Sequence, residues 1–199
     1  MPGSVQKPTG RENQRLRTRS AIVTAARELI ASGTVISMEV VAREALVSEA
    51  TAYRYFPDLP SLIREALVGL WPTADATMAP IAESRDPVER VAFATRRLLE
   101  RVLQYEGSTR TMIAATIARP RAGSERPGIR FALLDAALDP VSDRLRGGAK
   151  ELQRLKRRLG VVVSPESAFT LIDFYGLSGD EAVDEIVEVA RQITSLALA

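Results

Sequence analysis

The sequence predicts an all-α protein in which an N-terminal three-helix helix-turn-helix unit leads a larger helical domain. Three observations predict this. Apolar residues recur at three- and four-residue spacings along most of the 199-residue chain, and no alternating strand pattern interrupts them. Helix start signals, a Ser or Asp cap followed by Pro or Glu, recur between these stripes. Two short helical segments lie about three residues apart around Leu46, the spacing of a helix-turn-helix.

In chain order, residues 12–31 place Leu16, Ile22, Ala25, Ala26, Leu29 and Ile30 near one helix face, and Gly33 is placed to terminate it. Ser37 is expected to cap a short helix, MEVVAREA, with Val40, Val41 and Ala45 inward. Another short helix is predicted at 48–55, and Asp58 is expected to cap a helix over 59–70. Pro72 and Pro80 then bracket a loop or a broken helix entry. Asp86-Pro87-Val88-Glu89 is a strong start signal for a helix to about residue 105. Gly107-Ser108 restarts a helix to about 118, and PRAGSERPG (120–128) reads as a mobile loop. A helix over 129–138 precedes a second cap-and-proline start at Asp139-Pro140, which ends at Gly147-Gly148. Ser164-Pro165-Glu166 either kinks the next helix or begins a new one. Ser178 and Glu181 form a capping-box pattern for the last helix.

Composition narrows the function classes. The chain has neither cysteine nor histidine, which removes disulfides, thiolate and imidazole metal sites, and any catalytic triad needing imidazole. No catalytic residue, cofactor or metal is predicted. No run of 18 apolar residues occurs and MPGSVQKPTGRENQ lacks an apolar core, so neither a membrane span nor a secretory signal is expected, and cytoplasmic is the default location. Residues 1–20 carry five basic side chains against Glu12 alone, a net +4, whereas residues 61–199 balance at 19 basic and 19 acidic. A basic leading segment on a neutral body suits either a bound polyanion or a solubilising tail.

Within ISMEVVAREALVSEATAYRYF, Ser48, Ala52 and Phe56 share one stripe of the second helix, with Val47 beside them to pack inward. Glu49, Ala50, Tyr53 and Arg54 point the other way. Tyr hydroxyls and Arg forks donate to phosphates, and Glu or Thr near the helix start reads base edges in a major groove.

This segment, extended through PDLPSLIREAL, resembles the DNA-binding segment of the TetR family of one-component transcriptional regulators. The shared features are the Ser-led second helix, Val-Ser before the recognition helix, T-x-Y-R-Y-F within it, and a helix directly after. Upstream, AIVTAARELIASG resembles that family's first helix, and LSGDEAVDEIVEVARQI resembles the last helix of its regulatory domain. The resemblance implies phosphate contacts at Tyr53 and Tyr55 and base reading at Glu49, Ala50 and Thr51. Arg17, Ser37, Met38, Ser48 and Arg54 complete the expected DNA-binding set. Three positions depart from the family pattern: Leu46 stands in the turn where Gly is usual, Ala50 replaces Gly, and Leu59-Pro60 replaces the Lys that opens the fourth helix.

The organisation expected is a flexible basic arm at 1–14, a helix-turn-helix domain at 15–58, and a regulatory and dimerisation domain at 59–199 linked by helix 59–70. Trp71, Met78, Phe93, Tyr105, Met112 and Phe131 are the candidate ligand-pocket residues. Without an ionisable cluster among them, the expected effector is a small, mainly apolar molecule. Stripes at Leu152, Leu155 and Leu159, at Phe169 and Ile172, and at Ile186, Val187, Ala190 and Ile193 suit a partner subunit as well as the chain's own core. The resemblance therefore implies a homodimeric repressor that binds a palindromic operator in double-stranded DNA and responds to a ligand. A helical adaptor that binds protein instead of DNA is the alternative. An enzyme working through carboxylates has only scattered Asp and Glu to draw on.

Overall fold

Helix α1 (Gly10–Ala31) ends where Gly33, at φ 72°, takes the left-handed conformation that closes a Schellman motif. The Gly33 amide donates to the Ile30 carbonyl and the Thr34 amide to the Leu29 carbonyl. The computed structural model describes residues 10–67, 70–118, 128–145 and 147–198, with only the backbone described at 115, 116 and 118. The helix already runs at residue 10, so the second part of the expected arm is helical, while residues 1–9 lie outside the described set. Its inward face begins at Ile22; Leu16, expected to be inward, is exposed.

Helix α2 (Met38–Glu44) starts at Ser37, whose hydroxyl accepts from the Val40 amide at 3.2 Å. Helix α3 (Glu49–Tyr55) starts at Ser48, which accepts from the Thr51 amide. Helix α4 (Leu59–Leu67) starts at Asp58, which accepts from the Ser61 amide at 2.9 Å. Ile22, Ala26 and Ile30 of α1, Val41 of α2, Ala52 of α3 and Phe56 just after it, and Leu62, Ile63 and Ala66 of α4 form one buried core. Arg19 fastens three of these elements: it donates to the Tyr55 carbonyl, pairs with Glu65, and lies over the Phe56 ring at 4.4 Å. Arg27 adds a bond from Nε to the Ala66 carbonyl at 2.9 Å.

The turn between α2 and α3 is also a Schellman motif, with the Leu46 amide donating to the Arg43 carbonyl and the Val47 amide to the Ala42 carbonyl. Here the left-handed position is Leu46, at φ 56° and 92% exposed, the one non-glycine at positive φ among the described residues. A Cβ there costs roughly 1–2 kcal/mol. Leu46→Gly recovers that, less the extra chain entropy of glycine, so the substitution is expected to raise stability by roughly 0.5–1 kcal/mol. Urea unfolding checks this, and a fall in midpoint would refute the strained turn.

The second body is built on α6 (Pro87–Gln104), capped by Asp86 as its sequence signal predicts. It lies along α11 (Gly179–Leu198) and packs on α8 (Ile129–Leu138). The Ser178–Glu181 box forms reciprocally, and its bond from the Ser178 amide holds the Glu181 carboxyl below the usual range. Helices α9 (Gly148–Val162) and α10 (Pro165–Tyr175) close the remaining faces. Leu98, Leu134, Leu138, Leu155, Leu159 and Ala190 meet in the core between them.

Three local expectations resolve. The bracketed stretch before Pro80 contains a short helix, α5 (Ala74–Met78), capped by Thr73, followed by a 3-10 turn at Ala79–Ile81. Asp139 does not cap a new helix, because α8 runs straight into it. Its carboxylate takes Lys156, and Asp139–Arg144 is a 3-10 stretch broken at Val141. Ser164 turns extended and caps Ser167, so α9 and α10 are separate helices. The expected loop at 120–128 lies outside the described residues except for Gly128.

Arg90 locks this body. It is 3% exposed and donates to five backbone carbonyls: Ile81, Ala82 and Ser84 after the 3-10 turn, and Ala136 and Ala137 near the end of α8. Ala136 needs that donor, because the residue four positions on is Pro140, which has no N–H.

Candidate nucleic-acid interface and internal cavity

Helix α3 is held from one side only. Ala52 and Phe56 are buried in the first core, whereas Glu49, Ala50, Tyr53 and Arg54 are exposed, Tyr53 at 48%. Tyr55 is half-buried against that core, and the Arg54 guanidinium lies 5.5 Å from the centre of its ring. Its role thus divides between packing and reaching outward. Thr51 is also half-buried, and its Oγ1 accepts from the Ser48 hydroxyl at 2.9 Å, so the Ser48 proton is engaged within the helix start. Ser37 accepts from the Val40 amide. Arg17 is exposed on α1.

Met38 is a correction. It is 4% exposed and packed in the first core, so its side chain has no free face for DNA. Its inward position follows from sitting three residues before Val41 on the same helix face. Leu59, where a lysine was the family expectation, is half-buried and packs against that core.

A partly open cleft of about 80 Å³ lies where α6, α7 (Glu106–Ala118), α8 and the start of α10 meet Leu67 of α4 and Trp71. Of the six predicted pocket residues, Trp71, Met112 and Phe131 line it. Met78 is buried in the second core and Phe93 packs beside it under Arg97, so neither reaches the cavity. Tyr105 is buried in the first core, because it occupies the break between α6 and α7 that enters the helix-turn-helix unit. Sequence reasoning missed Leu67, Leu98, Val102, Arg130 and Glu166 on the cavity wall. The aliphatic residues carry no signal beyond a core stripe, and the Arg130–Glu166 pair, at 3.6 Å, joins residues distant in sequence.

The predicted dimer stripes are largely interior. Leu155, Leu159, Phe169, Ile186, Val187 and Ala190 are buried by the chain itself, which leaves them no surface to offer a partner. Leu152, Ile172 and Ile193 are half-buried on the second core. The exposed apolar residues of these helices are others: Val161, Phe174 at 84%, Tyr175 and Leu196. Val161 and Tyr175 line one groove between α9, α10 and α11. Their signal in the sequence is that they fall outside the buried stripe of their own helices.

Three of the four cations in the basic run of α9 have carboxylate partners: Arg154 and Arg158 approach Glu151, and Lys156 bonds Asp135 and Asp139. Burial lowers the Lys156 pKa, but the two carboxylates outweigh it and hold the group above the ordinary lysine range. This arrangement makes α9 a structural face, as a solvated helix would be. Among the described residues no cluster of three or more metal-ligating side chains occurs, and no helix is long and apolar enough to cross a membrane.

Comparison with solved structures finds the crystal structure of a TetR transcriptional regulator from Rhodococcus sp. RHA1, 20% identical to this chain. The match covers 90% of this chain and 97% of that one, with a TM-score of 0.60. No protein-family model and no curated protein matches the sequence. At that identity the likeness establishes the fold: the chain has the TetR-like all-α architecture.

Proposed function

Starting from that fold, we propose that the protein is a ligand-responsive, DNA-binding transcriptional regulator acting as a homodimeric repressor on a palindromic operator. The observation that carries the reading is the two-sidedness of α3, anchored by Ala52 and Phe56 with Tyr53 and Arg54 turned out beside Glu49 and Ala50. Tyr53, Arg54 and the upper edge of Tyr55 grip phosphates, with Arg17 and Ser37 assisting. Glu49, Ala50 and Thr51 face base edges, where Glu49 accepts from a cytosine amino group. Val161, Phe174, Tyr175 and Leu196 mark the face at which two copies associate.

Coupling runs through shared packing. Leu67 and Trp71 follow directly on the α4 face that fills the first core, and they line the cavity. Tyr105 reaches back from the second body into the first core, and Met112 packs against that core from the cavity wall. A ligand that favours one placement of these residues shifts α4, and with it α3, by differential binding.

Selection of duplexes from a random pool, followed by titration at two salt concentrations, tests the reading. A palindromic preference with salt-sensitive affinity supports it, whereas no preference at either salt supports the helical adaptor instead. Leu59→Lys adds a phosphate donor at the start of α4. It is expected to tighten binding about fivefold and steepen the log affinity–log salt slope by about 0.9. An unchanged slope would show that position 59 does not face the backbone.

A further inference from the structure

A second concavity, a groove of about 400 Å³, opens between α6 and α8 and shares Trp71 and Ile129 with the cleft. That volume falls in the range of small-molecule sites, roughly 300–1,000 Å³. Its lining divides by chemistry. One part is apolar: Trp71, Pro72 and Pro80, with Ile129 and Leu133 of α8. The other is a polar stripe of α6, Arg97, Glu100, Arg101 and Gln104, whose three- and four-residue spacing sets them on one helix face. Thr77, the remaining polar residue, spends its hydroxyl proton on the Thr73 carbonyl.

The stripe is tied along itself, which keeps its head groups on that face. Arg97 donates to the Glu100 carboxylate at 3.0 Å, and Arg101 donates to the Gln104 side-chain oxygen at 2.8 Å. Glu100 is thereby matched by Arg97. Arg101 has no carboxylate partner among the described residues and meets only a neutral amide and the Tyr105 ring. Two cations against one carboxylate leave the lining with a net positive charge. The cleft differs, because its Arg130 is paired with Glu166.

We infer that this groove binds an amphipathic monocarboxylate, its anion on Arg101 and its hydrocarbon body against Trp71, Ile129 and Leu133. The inference rests on the ligand-responsive reading above for its effect on DNA, and it specifies the chemistry of the effector. A guanidinium and a carboxylate form a charge-assisted pair, which a neutral ligand does not supply. A cation would face the unmatched Arg101, and a second negative group would meet Glu100. A pure hydrocarbon would desolvate Arg101 without a counter-ion.

Hydrocinnamate and hydrocinnamamide share a skeleton and differ by a carboxylate against a neutral amide. In calorimetric titration of the DNA-free protein, Arg101→Gln is expected to weaken hydrocinnamate about tenfold and hydrocinnamamide less than about twofold. Glu100→Gln removes the competing carboxylate and releases Arg97, so it is expected to tighten hydrocinnamate about threefold. General damage to the fold would not produce that gain. Neither residue lines the cleft, so both effects report on the groove. Equal weakening of both compounds by Arg101→Gln, no tightening by Glu100→Gln, or binding of neither compound would overturn the assignment. DNA affinity is measured separately. Hydrocinnamate binding with both charge effects but unaltered DNA affinity leaves the groove assigned and defeats the ligand-responsive reading, so the two failures are distinguishable.

Discussion

Arg90→Met is expected to destabilise the protein by at least about 3 kcal/mol. The guanidinium is almost fully buried and gathers five carbonyls from two chain segments that end near each other. Removing a buried donor leaves each acceptor with its desolvation cost, about 1–3 kcal/mol before relaxation, and water has little access to replace it. Methionine keeps much of the side-chain volume, so the loss reads hydrogen bonding more than cavity formation. Local dipoles agree with this placement: the cation lies near the C-terminal end of α8, where partial negative charge collects. Arg90→Lys, a point donor that cannot span both segments, is expected to fall between the two. Urea unfolding followed by far-UV circular dichroism gives the values. A loss below about 1 kcal/mol for Met would mean that the carbonyls find other donors.

Arg54→Ala is expected to weaken operator binding roughly 10- to 100-fold, through loss of one charge-assisted phosphate contact. Three features of that loss separate it from general damage. It falls evenly on all single-base operator variants, it reduces the salt slope by about 0.9, and it leaves unfolding unchanged, because Arg54 is exposed. Tyr53→Phe removes only a hydroxyl and is expected to cost about tenfold with the salt slope intact. Glu49→Gln is the contrasting case: its effect concentrates at one base position if Glu49 reads a cytosine. Anisotropy titration against a panel of duplexes distinguishes these patterns, and unchanged affinity for Arg54→Ala would remove α3 from the phosphate backbone.

The capped helix starts were legible in the sequence because a cap is a local event. Ser37, Asp58, Asp86 and the Ser178–Glu181 pair each needed only the following three residues to define them. The sequence marked Leu46 as the departure in the turn, and the structure shows that Leu takes the left-handed conformation there. Failures came where a neighbour distant in sequence decides. The stripe through Leu155, Leu159 and Ala190 announces burial, but periodicity cannot say whether the covering surface is the chain's own or a partner's. Tyr105 looked like a cavity residue on a middle helix, and only the break between α6 and α7 carries it into the first core. Asp139-Pro140 has the letters of a helix start, yet Lys156, 17 residues on, takes the carboxylate that would have capped it. Trp71, Met112 and Phe131 were found through size and polarisability, while the Arg130–Glu166 pair needed α8 and α10 to be brought together first.

The central claim is that two copies of α3 enter successive major grooves on one face of DNA. Hydroxyl-radical footprinting of the protein on its best selected duplex tests it most directly. The account predicts two equivalent protected patches related by the palindrome, their centres about one helical turn, roughly 10 base pairs, apart. Uniform cleavage along every duplex at low salt, or a single unpaired patch, would contradict it.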